Sequence, residues 1–152
     1  MKSNIKIDAL NWKILNRLQE NARESFANIG RYIGLTAPAV GERVKKMEET
    51  GIILGYNAVV SHSHTGHQLK AIITLRAFMG KLKPFLALVP TFDEVINCYR
   101  ITGNENIVME VVLKDQFHLE KFIDKLIQYG ETRTSIVLSH VIANAPIRSE
   151  PN

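Results

Sequence analysis

With 152 residues, 45% hydrophobic and 22% charged, the chain lies in the ordinary range of a soluble globular protein and has enough apolar material for one domain or two small ones. Its single cysteine, Cys98, excludes an intrachain disulfide framework, and its apolar runs fall far short of the roughly 20 residues that span a bilayer. No charged-then-apolar leader opens the chain, so a cytoplasmic protein is expected, and a net charge of +4 with pI near 9.3 favours polyanionic partners.

The first expected element is an amphipathic helix over 8–20. Leu10, Ile14 and Leu18 recur at i, i+4 and i+8, Leu15 widens the stripe, and Asp8 stands at the amino end as a cap. The polar break 20–24 leads to Ser25, a second cap, then to Phe26, Ile29 and Ile33 on one face of a short helix that Gly34 ends. Thr36 is a third cap, and Pro38 follows in a first turn where its missing N–H is not needed. Val40, Val44 and Met47 form the buried stripe of this third helix, and Gly51 suits its exit.

Two helices joined by a tight turn, with a preceding helix to pack on, form the arrangement that places the second of the pair in a major groove. On that helix Pro38, Glu42, Lys45, Lys46 and Glu49 project away from the stripe, with Ala39 and Arg43 on its flanks. Thr36, Pro38, Ala39, Glu42, Arg43, Lys45 and Lys46 are therefore the candidate contacts to double-stranded DNA. The competing reading is a solvated face in which Arg43 pairs with Glu42, Glu48 or Glu49. Charge placement favours DNA: residues 1–61 carry nine bases against six acids, the remainder ten against nine.

Beyond Gly51 the run 52–60 is β-prone, and 61–66 is a polar, histidine-containing connection. The domain boundary is placed there, giving 1–61 and 62–152. Downstream, 70–79 alternates as a strand, and Leu82, Phe85, Leu86 and Val89 mark a helix that Pro90 stops. Strands follow over 95–102 and 107–113, joined by the turn signal Gly103-Asn104-Glu105-Asn106. Leu119, Phe122, Ile123 and Leu126 mark a second helix, and 132–143 closes the series as a long strand. The fold class is α+β: a winged helix-turn-helix, then a ferredoxin-like β-α-β-β-α-β domain. Its sheet keeps one face free of helices, with enough apolar alternation to expect a large patch covered by a second copy, hence homodimers or higher assemblies.

Enzymatic signals are absent from the sequence. Cys98, Ser135 and Ser139 fall inside expected strands, with no nucleophile elbow and no glycine-rich phosphate cradle, so no catalytic residue is assigned. His62, His64 and His67 are spaced like loose metal ligands, but no nearby thiolate or carboxylate completes a site, and a hydrophilic hinge is preferred. No metal and no cofactor is expected.

Gly34-Leu35-Thr36-Ala37-Pro38, Glu42-Arg43-Val44 and the exit Gly51-Ile52-Ile53 resemble the Lrp/AsnC, or feast/famine, family of prokaryotic regulators. The likeness runs from the 8–18 helix through the glycine turn at Gly103 to Thr132-Arg133-Thr134. It implies a sequence-specific transcriptional regulator that dimerises through its sheet, often assembles into tetramers or octamers, and binds an amino-acid effector between dimers. By position, the effector residues it implies are Gly103, Thr132 and Thr134 with the adjoining Asn104 and Glu105. This chain departs from the family in placing Asn104 and Asn106 where acids are usual, which leaves three readings: Glu105 as the carboxylate for an α-ammonium, another small effector, or none. Two other readings are a sirohaem-decarboxylase-like enzyme and an effector-binding oligomer without DNA affinity.

Overall fold

The computed structural model describes residues 7–149. Their contacts divide them into two compact units, one running up to Ala58 and including the segment from Ile142, the other spanning Val59–Val141.

The first unit holds three helices: α1 (Ala9–Glu20), α2 (Phe26–Ile33) and α3 (Ala37–Glu49). Each starts where a side-chain oxygen replaces a missing carbonyl partner for an amide of the first turn. Asp8 accepts from the Asn11 N–H at 2.7 Å, Ser25 from Asn28 at 3.2 Å and Thr36 from Ala39 at 3.3 Å. The stripes Ile14, Leu15 and Leu18, then Ile29, then Val40, Val44 and Met47 meet in one buried core. Each fully buried aliphatic side chain there contributes about 1.5–3 kcal/mol of transfer free energy. Arg17 grips Glu24 through Nε and Nη2 at 2.9 and 2.7 Å and lies 5.1 Å from the centre of the Tyr32 ring, fixing the loop between α1 and α2.

The expected wing does not form. Residues 52–60 carry no strand; Ile52 and Ile53 pack against the helical core, but Leu54, Val59 and Val60 stand exposed. β-branched composition becomes a strand only where a neighbouring backbone supplies the ladder, and among the described residues this run has none. The segment from Ile142 packs into this same unit: the Ile147 N–H donates to Gln19 Oε1 at 2.8 Å, and Gln19 Nε2 donates to the Ile147 carbonyl at 2.9 Å. Ile147 thereby sits in an apolar hollow with Trp12, Leu18 and Ile53.

The second unit is β1 (Leu69–Ala77), α4 (Leu82–Leu88), β2 (Val95–Arg100), β3 (Ile107–Leu113), α5 (Gln116–Leu126) and β4 (Gly130–Ile136). The antiparallel sheet has the order β2-β3-β1-β4. Ala71, Ile73 and Leu75 of β1 and Ile107, Met109, Val111 and Leu113 of β3 join Phe85, Val89, Phe122 and Leu126 in the core under the helices. One length differs from expectation. Helix α4 stops at Leu88, ahead of Pro90 as expected, and a separate 3₁₀ turn, Val89–Thr91, follows, with proline at its start, where no N–H is required. Strand β4 ends at Ile136 rather than at 143: Ile136 pairs with Ala71 and the Val137 N–H reaches the Lys70 carbonyl, so only Leu69 of β1 lies beyond and residues 139–143 face no β1 partner.

The helix-free face is also less apolar than alternation suggested. Lys70 and Glu110 make an ion pair at 2.9 Å on it, and Arg76 and Glu131 another at 2.8 Å. Ile72, Val108, Val112 and Tyr99, with the methyl of Thr74, supply apolar surface on it. Among the described residues no helix is long and apolar enough to cross a membrane, and no cluster of three or more metal-ligating side chains occurs. His62 and His64 spend Nδ1 on the His67 carbonyl (2.8 Å) and the Ser61 hydroxyl (2.7 Å), holding a local turn.

Candidate nucleic-acid interface

The link between α2 and α3 sets the reader. Gly34 takes the left-handed conformation, φ 76°, that ends α2, and the Leu35 N–H returns to the Gly30 carbonyl at 2.9 Å. Gly30, which the sequence reading passed over, permits this closeness: a Cβ there would stand 2.4 Å from the Leu35 carbonyl oxygen. Gly41 plays a milder part, with Phe26 lying 3.5 Å from where its Cβ would be. The signal for Gly30 was a second glycine, one helical turn ahead of Gly34 on a short helix.

On α3, Pro38, Glu42, Lys45 and Lys46 are exposed, as is the capping Thr36, while Ala39 and Arg43 are half-buried. Lys45 meets Glu49 only at 4.0 Å, and Glu48 accepts the Tyr56 hydroxyl at 2.8 Å; partial burial, helped by that bond, pushes the Tyr56 pKa up to about 12. Lys46 pairs with no carboxylate among the described residues. Arg43 pairs with none of the glutamates on its own helix. Its Nη1 reaches back to α1, 2.7 Å from Asp8 Oδ2 and 3.0 Å from Asn11 Oδ1. The Asn11 amide and the Arg43 guanidinium together hold the Asp8 carboxyl below the usual carboxylate range. The first turn of α1 and the outer side of α3 wall an open groove lined by Asp8, Asn11, Arg43 and Lys46. This is a helix face carrying cations and small residues, braced from behind, of a shape that enters a major groove.

In the second unit the structure brings the expected effector residues to one end of the sheet but not to one face. Gly103 adopts φ 118° in the β2–β3 turn, and Asn106 ties that turn to β1 by donating its N–H to the Leu75 carbonyl and accepting from the Ala77 N–H. Asn106 is thus a structural residue of the turn. Thr132 and Thr134 lie in register with Leu75 and Ile73, on the side of the helices. Arg133 lies in register with Thr74 on the opposite side, and Glu105 stands 3.8 Å from it. Asn104 is exposed.

Two family models match the chain. An AsnC-type helix-turn-helix domain matches residues 7–48 and an Lrp/AsnC ligand binding domain matches residues 70–147. Among relatives, the chain is 32% identical over 133 residues to an uncharacterized HTH-type transcriptional regulator, YezC of Bacillus subtilis, covering 88% of this chain and 94% of that one. It is 36% identical over 117 residues to the HTH-type transcriptional regulator Ptr1 of Methanocaldococcus jannaschii, covering 77% and 79%. Among solved structures it resembles B. subtilis LrpC with a TM-score of 0.86 at 28% identity, covering 91% and 99% of the two chains. A transcriptional regulator of Neisseria meningitidis, solved as a complex with L-Met, shares the fold with a TM-score of 0.88 at 24% identity, covering 93% and 96%.

Proposed function

This chain belongs to the Lrp/AsnC family of helix-turn-helix transcriptional regulators, and from that premise we propose that it reads double-stranded DNA with the outer face of α3 and answers to an amino acid bound between dimers. The observation that carries the DNA contact is Lys46, exposed on α3 and without a carboxylate partner among the described residues, beside the loosely paired Lys45. In this reading Thr36, Pro38 and Ala39 lie against base edges, Glu42 accepts from a cytosine amino group, and Lys45 and Lys46 hold phosphates. Arg43 joins them through the nitrogens that Asp8 leaves free. Two copies place their α3 helices in successive major grooves about 34 Å apart, on a roughly palindromic site.

The remaining parts of the proposal concern assembly and sensing. Residues 1–61 read, and 62–152 assemble and sense. A second copy covers the helix-free sheet face, which is supported by Ile72, Thr74, Val108 and Tyr99 there and by a Thr74 hydroxyl that is buried without a partner among the described residues. Between dimers, Glu105 takes the α-ammonium while Gly103, Asn104, Thr132 and Thr134 line the rest of the effector site. The neisserial regulator's complex with L-Met supports this class of effector. The protein acts in the cytoplasm and catalyses no reaction, in keeping with relatives that are named regulators.

The test is binding of duplex DNA by the full chain over a range of salt. Lys46→Ala lowers affinity for every sequence and reduces the slope of log K against log salt by about 0.9, the loss of one phosphate contact. Failure of the unaltered protein to bind any duplex in dilute buffer overturns the DNA contact; titration calorimetry with each standard amino acid tests the effector separately.

A further inference from the structure

We infer that Asp8 is a specificity-determining residue of the reader: it holds Arg43 against the start of α1 and gives it up only to a phosphate of a closely docked duplex, so that the α3 face does not grip DNA of any sequence. This rests on the DNA-reading function proposed above.

The charges around the groove balance. Arg43, Lys45 and Lys46 face Asp8, Glu42 and Glu49, all six lining the same hollow between α1 and α3. With no net charge over these six, the face attracts a passing duplex weakly, and Lys46 is its cation without a carboxylate partner among the described residues. Of the three bases, Arg43 is the most firmly engaged, at 2.7 Å from Asp8 and 3.0 Å from Asn11. Yet Nη1 alone makes both contacts, and no hydrogen bond from Nε or Nη2 to a described residue is present. The side chains of Arg43 and Asp8 are 32% and 53% exposed, and an ion pair so open to water shifts an equilibrium about fivefold at most. A phosphate, which accepts the guanidinium fork in two parallel bonds, therefore competes with Asp8 on favourable terms once it is close.

Asp8 itself cannot follow the guanidinium outward, because its two oxygens have separate duties. Oδ1 caps α1 through the Asn11 N–H at 2.7 Å, and Oδ2 takes Arg43. The carboxylate is thus a fixed competitor. Asparagine caps helices as well as aspartate does, so Asp8→Asn removes the charge and keeps the helix start.

The experiment measures affinity of the full-length chain for a duplex of random sequence between about 50 and about 200 mM salt, for the parent, Asp8→Asn, Arg43→Ala and the double variant. Asp8→Asn is expected to bind more tightly in dilute salt and to gain about 0.9 in salt slope, which is about 3.5-fold more affinity lost across that range. The double variant is expected to return to the Arg43→Ala value. An unchanged slope in Asp8→Asn overturns the inference, as does a gain that survives removal of Arg43. If Asp8→Asn only lowers the urea midpoint and leaves DNA binding untouched, the pair is a structural brace and the inference fails. Should the parent bind no duplex, the DNA-reading proposal falls and takes this with it; a parent that binds and responds to Lys46→Ala while Asp8→Asn does not isolates the failure to Asp8.

Discussion

Replacing Gly30 and Gly41 by alanine, one at a time, should move stability in opposite directions. Both glycines lie inside helices, where alanine ordinarily adds about 0.5–1 kcal/mol by removing backbone freedom from the unfolded chain. At Gly41 the new methyl meets Phe26 at 3.5 Å, an ordinary contact, so that gain should be kept. At Gly30 the methyl stands 2.4 Å from the Leu35 carbonyl oxygen, about 0.6 Å inside the closest approach a real Cβ makes. The atom it meets is backbone, held by the 2.9 Å bond from the Leu35 N–H to the Gly30 carbonyl, so the turn between α2 and α3 must open. Overpacking costs about 1–3 kcal/mol and a weakened hydrogen bond about 1 kcal/mol, so the net loss is about 1–3 kcal/mol. Urea titration followed by the fluorescence of Trp12, the single tryptophan, which packs on the core of the reader, isolates this unit. The midpoint should fall by about 1 M for Gly30→Ala and rise slightly for Gly41→Ala. A Gly30→Ala protein as stable as its parent would refute the close approach and the turn geometry built on it.

Gly103→Val should cost about 1–3 kcal/mol of local strain, because φ 118° is foreign to a β-branched residue while nothing crowds the site. Sedimentation with and without amino acid should then show a changed assembly or a lost response; unaltered behaviour removes the turn from the effector site. Lys70 beside Glu110, with burial opposing, holds that carboxyl below its usual range. Glu110 therefore binds its proton less readily folded than unfolded, and its contribution is present above the unfolded value near 4.5 and lost as pH falls through the lowered folded one. Circular dichroism melts should show that Glu110→Gln flattens this acid limb, and an identical pH profile would place the shift elsewhere.

Local signals were the legible part of this sequence. Asp8, Ser25 and Thr36 act on amides three residues ahead, and each cap is where a reading of neighbours puts it. The order of strands and helices in the second unit follows from periodicity for the same reason. What escaped depends on partners distant in sequence. The sequence offers Arg43 glutamates on its own helix, whereas its carboxylate lies 35 positions away at the cap of α1. Residues 52–60 have strand-forming side chains, but a strand is made by pairing, and none is available to them among the described residues. Residues 139–143 find no β1 partner because β1 begins at Leu69, which nothing in the β4 sequence records. At the candidate effector site, Thr132 and Thr134 were identifiable by position, but the face on which each lies is fixed by register with β1.

The clasp between Gln19 and Ile147 bears on how the DNA-reading part can be handled in isolation. A fragment stopping at Ala58 omits the residue that the oxygen and the nitrogen of the Gln19 side-chain amide both hold and that lies beside Trp12 and Ile53. Such a fragment exposes an oily notch to water and leaves a glutamine amide to find other company, so it is less stable and stickier than the same helices in place. The reader is therefore not a detachable module bounded by a single cut: excising it intact requires carrying along a short stretch encoded about 90 codons downstream of Ala58.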